Sequence, residues 1–101
     1  GERMKVRRKE VLDCFYLTKD NVDEFVKWCW EYIRVCDFPS GNDFEYNIIK
    51  NDREFYIDWV ACGMKRYFSY NRYYIIDWID REYEVTPYTK KEFEEEFEVV
   101  G

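Results

Sequence analysis

Residues 72–85, RYYIIDWIDREYEV, hold two aromatic and β-branched runs separated by Asp80 and Arg81. Runs of this kind around a two-residue break predict a β-hairpin. With Asp80 and Arg81 as the turn, antiparallel pairing sets Trp78 opposite Tyr83 and Ile76 opposite Val85 on one face, which can join a core. The other face holds Tyr73, Ile75 and Ile79, with Asp77 beside Glu84. That like-charge pair destabilises the hairpin unless a cation lies between the two carboxylates. An Asp-Arg turn lacks the glycine that tight hairpin turns favour, so a longer loop, with the register moved by one residue, is the competing reading.

Working outward, Val11 to Leu17, VLDCFYL, follows the basic residues Lys5, Arg7, Arg8 and Lys9 and suits a strand. Leu12, Cys14 and Tyr16 form its cleaner core face. Thr18 offers a helix N-cap, with Leu17 and Val22 at the spacing of a hydrophobic staple. Val22, Phe25, Val26, Cys29 and Ile33 then recur at helical spacing, with acidic and basic residues between them, so this is the long amphipathic helix. Trp28, Tyr32 and Val35 widen its apolar stripe on one flank, and Trp30 lies on the other. The Pro, Ser, Gly and Asn of residues 38–42 mark its end in a loop.

Phe44 to Lys50 and Arg53 to Ala61 flank Asn51-Asp52, a pair that tolerates positive φ, and read as a second hairpin. Its apolar face is Phe44, Tyr46, Ile48, Phe55, Ile57 and Trp59. Cys62-Gly63-Met64 is a break before a short strand, Lys65 to Tyr70. Pro87 ends the hairpin at 72–85, after which Thr89 and Glu92 form a capping box, with Tyr88 and Phe93 as its staple. A short C-terminal helix carrying Phe93, Phe97 and Val100 on one side follows, and a terminal FEVV strand competes with it. The fold class expected is α+β: one mostly antiparallel sheet of about four to six strands, the main helix on one face, and a short C-terminal helix or strand.

The chain has 101 residues, enough for one modest core and hence one domain, taken as residues 4–101. Met4 reads as a natural start, so Gly1 to Arg3 are set aside as an addition ahead of it. Charged residues interrupt every apolar run, so no membrane span is expected. Four cysteines without CxxC spacing, and no histidine, argue against the usual zinc sites and triads, and Cys14 and Cys29, which the strand and helix patterns point inward, read as buried reduced thiols that fit a reducing cytosol. No metal, cofactor or catalytic set is predicted, although Asp77 with Asp80, or Asp58 with Glu45, are the carboxylate pairs an enzyme would draw on. The net charge of −6 argues against direct nucleic-acid binding. Aromatic residues make up 22% of the chain, more than one small core can hide, so some rings belong to a recognition surface.

Two stretches, MKVRRKEVLDCFYLTKDNVDEFVKWC from Met4 and RYYIIDWIDREYEVTPYTKKEFEEEFEVV from Arg72, together resemble a family of short, mostly uncharacterised bacteriophage and prophage proteins. Members open with an MKYRKKPV-like stretch, a strand and a threonine-capped helix ending in KWC, and close with a GDYIIKG, EFYPC and IFEKTYE-like series. This chain has Arg72 and Tyr73 where the family has Gly-Asp, Trp78 and Arg81 where it has glycine, and no Pro-Cys after the hairpin. The resemblance implies a phage product acting in the cytoplasm of an infected or lysogenic bacterium, and it carries over no active-site residue.

The function expected from these observations is binding. The candidate surface is Asp77, Asp80, Glu82, Glu84, Glu92, Glu94, Glu95, Glu96 and Glu98, with Trp30 and Tyr73. Such an acidic array can imitate nucleic-acid phosphates toward a basic groove of a host or competing-phage protein, as an anti-CRISPR or anti-restriction inhibitor would. A nucleotide-sequestering protein with its pocket at a homo-oligomer interface, a homodimer being one such assembly, is the second expectation, and a virion or assembly component the third. Solubility alone also accounts for the charge. Lys5, Arg7, Arg8 and Lys9 are expected near the C-terminal glutamates, within one chain or across a dimer.

Overall fold

A computed structural model of the chain describes residues 3–7, 10–32 and 45–100. In chain order it runs β1 (Arg3–Arg7), β2 (Val11–Leu17), α1 (Val22–Trp30), β3 (Tyr46–Lys50), β4 (Glu54–Trp59), β5 (Lys65–Ser69), β6 (Arg72–Ile79), β7 (Glu82–Tyr88), α2 (Lys90–Glu96) and β8 (Glu98–Val100). The class is α+β as expected, but the strands form two antiparallel sheets, five-stranded in the order β7-β6-β2-β1-β8 and three-stranded in the order β3-β4-β5. One sheet of four to six strands is therefore corrected to two. A period-two pattern shows which face of a strand is apolar but not which ladder the strand joins.

The β6–β7 hairpin has the expected register, with Ile79 opposite Glu82, Trp78 opposite Tyr83, Asp77 opposite Glu84 and Ile76 opposite Val85. Asp80 and Arg81 have φ of 49° and 71°, so both turn residues take the left-handed conformation that a type I′ turn requires, without glycine. The turn of the β3–β4 hairpin lies one residue later than expected, which moves the pairing register by two, Lys50 meeting Phe55 and not Arg53. The Asn51 N–H donates to the Glu54 carbonyl at 2.8 Å, which makes Asp52-Arg53 the loop, and neither Asn51 nor Asp52 has positive φ. A slip of two leaves every side chain on its face, so Phe55, Ile57 and Trp59 are buried as the pattern required. Tyr46 and Ile48, opposite Trp59 and Ile57, stay partly open.

Asn21, not Thr18, stands at the N-cap position of α1, and its side chain makes no capping hydrogen bond to the helix. The Asn21 side chain accepts the Thr18 N–H at 2.7 Å and donates to the Tyr16 carbonyl at 3.0 Å, so this buried amide clamps the end of β2 to the start of the helix. Phe25, Val26, Trp28 and Cys29 are buried. Ile33, Val35 and Cys36, with the loop expected at 38–42 and Phe44, lie outside the described residues.

Phe25 meets Phe15 of β2, Phe55 of β4, Phe68 of β5 and Tyr74 of β6 at ring-centroid distances of 5.0–5.9 Å, all edge-on. These rings place the main core between α1 and the inner faces of both sheets. A second, smaller core of Val6, Cys14, Ile75, Phe93 and Phe97 fills the opposite face of the larger sheet, under α2. Both faces of β2 are thus covered: Phe15 and Leu17 are as fully buried as Cys14, and the cleaner face was not the only core face.

At the C-terminus helix and strand both form. The Thr89 N–H donates to Glu92 Oε1 at 2.9 Å and the Glu92 N–H to Thr89 Oγ1 at 3.2 Å, completing the capping box. Hydrogen bonding to the Glu92 carboxyl, from the Thr89 backbone N–H first and from the Thr89 side chain second, holds it below its ordinary range. After Phe97, β8 pairs with β1, a strand that was not anticipated and that includes Arg3. This pairing sets Arg7 opposite Glu98 within one chain, as the basic run suggested; Arg8 and Lys9 lie outside the described residues. Pro87 does not end β7, which continues to Tyr88; β7 is an edge strand, and there a missing N–H is tolerated.

Replacing Asp80-Arg81 by Asn-Gly should raise unfolding stability by about 1 kcal/mol, because glycine adopts the left-handed conformation without the Cβ strain borne by Arg81. Urea denaturation checks this, and an unchanged midpoint would mean that the turn is unstrained.

Candidate functional site

The two faces of the β6–β7 hairpin end differently. On the inner face, Ile76 and Val85 are in the main core, while Trp78 is 52% exposed and stands edge-on to Tyr83 at 4.7 Å. Tyr83 in turn meets Tyr32, just beyond α1, at 5.0 Å. Arg66 of β5 enters from the smaller sheet, with its Nη2 donating to the Val85 carbonyl at 3.3 Å and its buried Nε without a hydrogen-bond partner.

On the outer face, Tyr73 and Ile75 are covered by α2, and Tyr73 stacks on Phe93 at 4.0 Å with ring planes 6° apart. Farther toward the turn the cover stops. There Asp77, Ile79, Glu82 and Glu84 share one face, Asp77 directly opposite Glu84 and Ile79 opposite Glu82. Among the described residues no cation lies within ion-pair distance of Asp77 or Glu84, whereas Asp13 is paired with Lys5, Glu31 with Arg3 and Asp52 with Lys19. The expected like-charge pair is therefore present without a neutralising cation.

The predicted surface is only partly assembled in one place. Asp77, Glu82 and Glu84 lie on the side of the larger sheet that also carries α2 with Glu92, Glu94, Glu95 and Glu96, all four exposed. Asp80 sits in the turn itself, and Glu98 lies on the opposite side of the sheet, across from Arg7. Tyr73 and Trp30 serve internal packing: Tyr73 lies under Phe93, and Trp30 packs against the core with its ring 5.6 Å from Tyr46 of β3. Burial, the neighbouring Tyr16 and Cys14, and Glu94 push the Tyr73 phenol up. Of the carboxylates considered for acid-base work, Asp77 stands directly opposite Glu84 with Asp80 in the turn, and Asp58 stands opposite Asn47 and Lys65.

One feature of the site had no signal in the sequence. Leu12, Ile75, Asp77, Ile79, Thr86, Tyr88 and Phe97 line a recess of about 50 Å³ beside the acidic pair. Its walls come from β2, β6, β7 and the residue after α2, four segments brought together only by the sheet order. Among the described residues no group of three or more His, Cys, Asp or Glu could hold a metal ion, and no helix is long and apolar enough to cross a membrane.

Cys14 and Cys29 are buried, free thiols, while Cys62 is exposed. Burial, with Asp13 secondary, pushes the Cys14 thiol up to about 12; burial also raises Cys29, opposed by Arg66. No family model, curated protein or solved structure matches this chain.

Two outcomes are expected. Asp77→Asn should stabilise the protein by roughly 0.2–1 kcal/mol at low salt by removing the repulsion with Glu84. The gain should shrink in 1 M NaCl, where charges are screened within about 3 Å; a gain that ignores salt would assign it to something other than charge. In the folded chain at pH 8, iodoacetamide should modify Cys62 and spare Cys14 and Cys29, read by mass spectrometry. Because folding raises the Cys14 pKa from an ordinary 9.0 to about 12, its contribution to stability is intact below pH 9 and is lost as pH climbs through 12.

Proposed function

We propose that this chain is a small phage-encoded accessory protein that works by binding, and that it inhibits or modulates a host or competing-phage protein in the cytoplasm of the infected bacterium. The phage setting rests on the resemblance of its two ends to phage and prophage proteins. The observation that carries the binding reading is the unneutralised Asp77–Glu84 pair, held on a paired hairpin on the same side of the sheet as the exposed glutamates of α2. Repulsion between carboxylates is a standing cost that an approaching cationic surface relieves, so a basic partner gains more here than from isolated acids. A groove that normally holds nucleic acid has that chemistry, and occupying it is how an anti-restriction or anti-CRISPR inhibitor would act.

A second reading, sequestration of a small nucleotide signal, draws on Arg66 with its unpartnered Nε and on the Trp78, Tyr83 and Tyr32 rings, which pack on one another. A planar anionic ligand suits that combination.

Affinity capture from bacterial lysate, with eluted proteins and small molecules both measured, separates the two. The inhibitor reading expects one stoichiometric protein, released by 1 M salt and bound about tenfold more weakly after Glu94→Lys with Glu95→Lys. A partner indifferent to both changes would sink it. A nucleotide released only on denaturation, with no protein, would establish the second reading.

A further inference from the structure

The recess beside Asp77 has a shape and polarity that narrow what the basic partner presents. Apart from Asp77 its lining is Leu12, Ile75, Ile79, Thr86, Tyr88 and Phe97, apolar but for the Thr86 and Tyr88 hydroxyls. Ile79 remains 38% exposed because α2 stops before reaching it, so apolar surface is left open next to two carboxylates. A volume of about 50 Å³ holds roughly four waters, or the stem of one long side chain, but no ring system. A purely apolar occupant would strand Asp77 against it, and an acidic one would be repelled by both carboxylates. Two carboxylates without a third ligand are also a poor set for a divalent ion.

We infer that the recess receives a single arginine side chain of the basic partner. Its three methylenes cover Ile75 and Ile79, and its guanidinium lies between Asp77 and Glu84. Arginine fits better than lysine because its planar fork serves two carboxylates at once and stacks on neighbouring rings such as Tyr88 and Phe97. The cation supplied from outside is the one the hairpin lacks. This inference rests on the acidic-face reading above and assigns it one anchor position.

The test is an NMR titration of the labelled full chain with Nα-acetyl-arginine N-methylamide, with the citrulline derivative as its neutral isostere. A peptide of alternating lysine and glycine serves as a second probe, for the acidic face as a whole. The arginine derivative should move the methyl signals of Leu12, Ile75 and Ile79 in a saturable way, and the citrulline derivative should barely move them. Asp77→Asn and Glu84→Gln should each weaken the arginine derivative about tenfold, the worth of one hydrogen bond to a charged group. Equal effects of arginine and citrulline would overturn the inference. If the peptide moves the α2 amides and the arginine derivative leaves the recess methyls unmoved, the recess anchor falls and the acidic-face reading stands; if neither probe acts, both fall.

Discussion

The aromatic ring of Phe25 is the contact on which the two sheets depend. One helical side chain touches rings from β2, β4, β5 and β6, so the helix joins two ladders that share no hydrogen-bonded strand pair. A three-stranded sheet with one apolar face is marginal alone in water and needs that face covered. Phe55 and Phe68, stacked at 5.2 Å, present such a face, and Phe25 meets both edge-on. Edge-to-face contacts among rings contribute beyond the area they bury and fix relative orientation, which a core of aliphatic side chains would do less well. The high aromatic content is thus largely structural: most rings lie in the core or against it.

What could be read from residues alone follows from the range of each interaction. The β6–β7 register was legible because the turn and the alternation on both sides of it agree within fourteen consecutive residues. The capping box at Thr89 was legible for the same reason. Thr18 failed as the cap of α1 because Asn21, three residues on, reaches back to two backbone groups and delays the helix, a competition that composition cannot resolve. The turn near Asn51 moved by one residue, and the register by two, without changing any face, since the tertiary demand was for Phe55, Ile57 and Trp59 to face inward.

Long-range pairing was the part out of reach. The first strand and its neighbour β8 lie at opposite ends of the chain, and only their ladder turns the basic run and the terminal residues into one sheet edge. Residues of the candidate surface divided along the same line. Asp77 and Glu84 were assigned correctly to one face by hairpin parity, but Tyr73 stacks against Phe93 of a helix whose docking site no local pattern reveals. The recess at Phe97 depends on four segments and left no trace in any one of them. This places the acidic pair in a different light: it was predicted as a local defect, and the fold sets it beside an uncovered apolar hollow.

Pro87 lies in β7, the outermost strand of the larger sheet. A free edge is a template for further chains, and a sequence so rich in tyrosine and phenylalanine is especially exposed to stacking into fibrils. Here a ring replaces one of the amides that would grip an incoming strand, and Glu82 and Glu84 place like charges against any identical copy approaching in register. That edge of the sheet is thereby blunted against self-templating while its acidic side stays exposed.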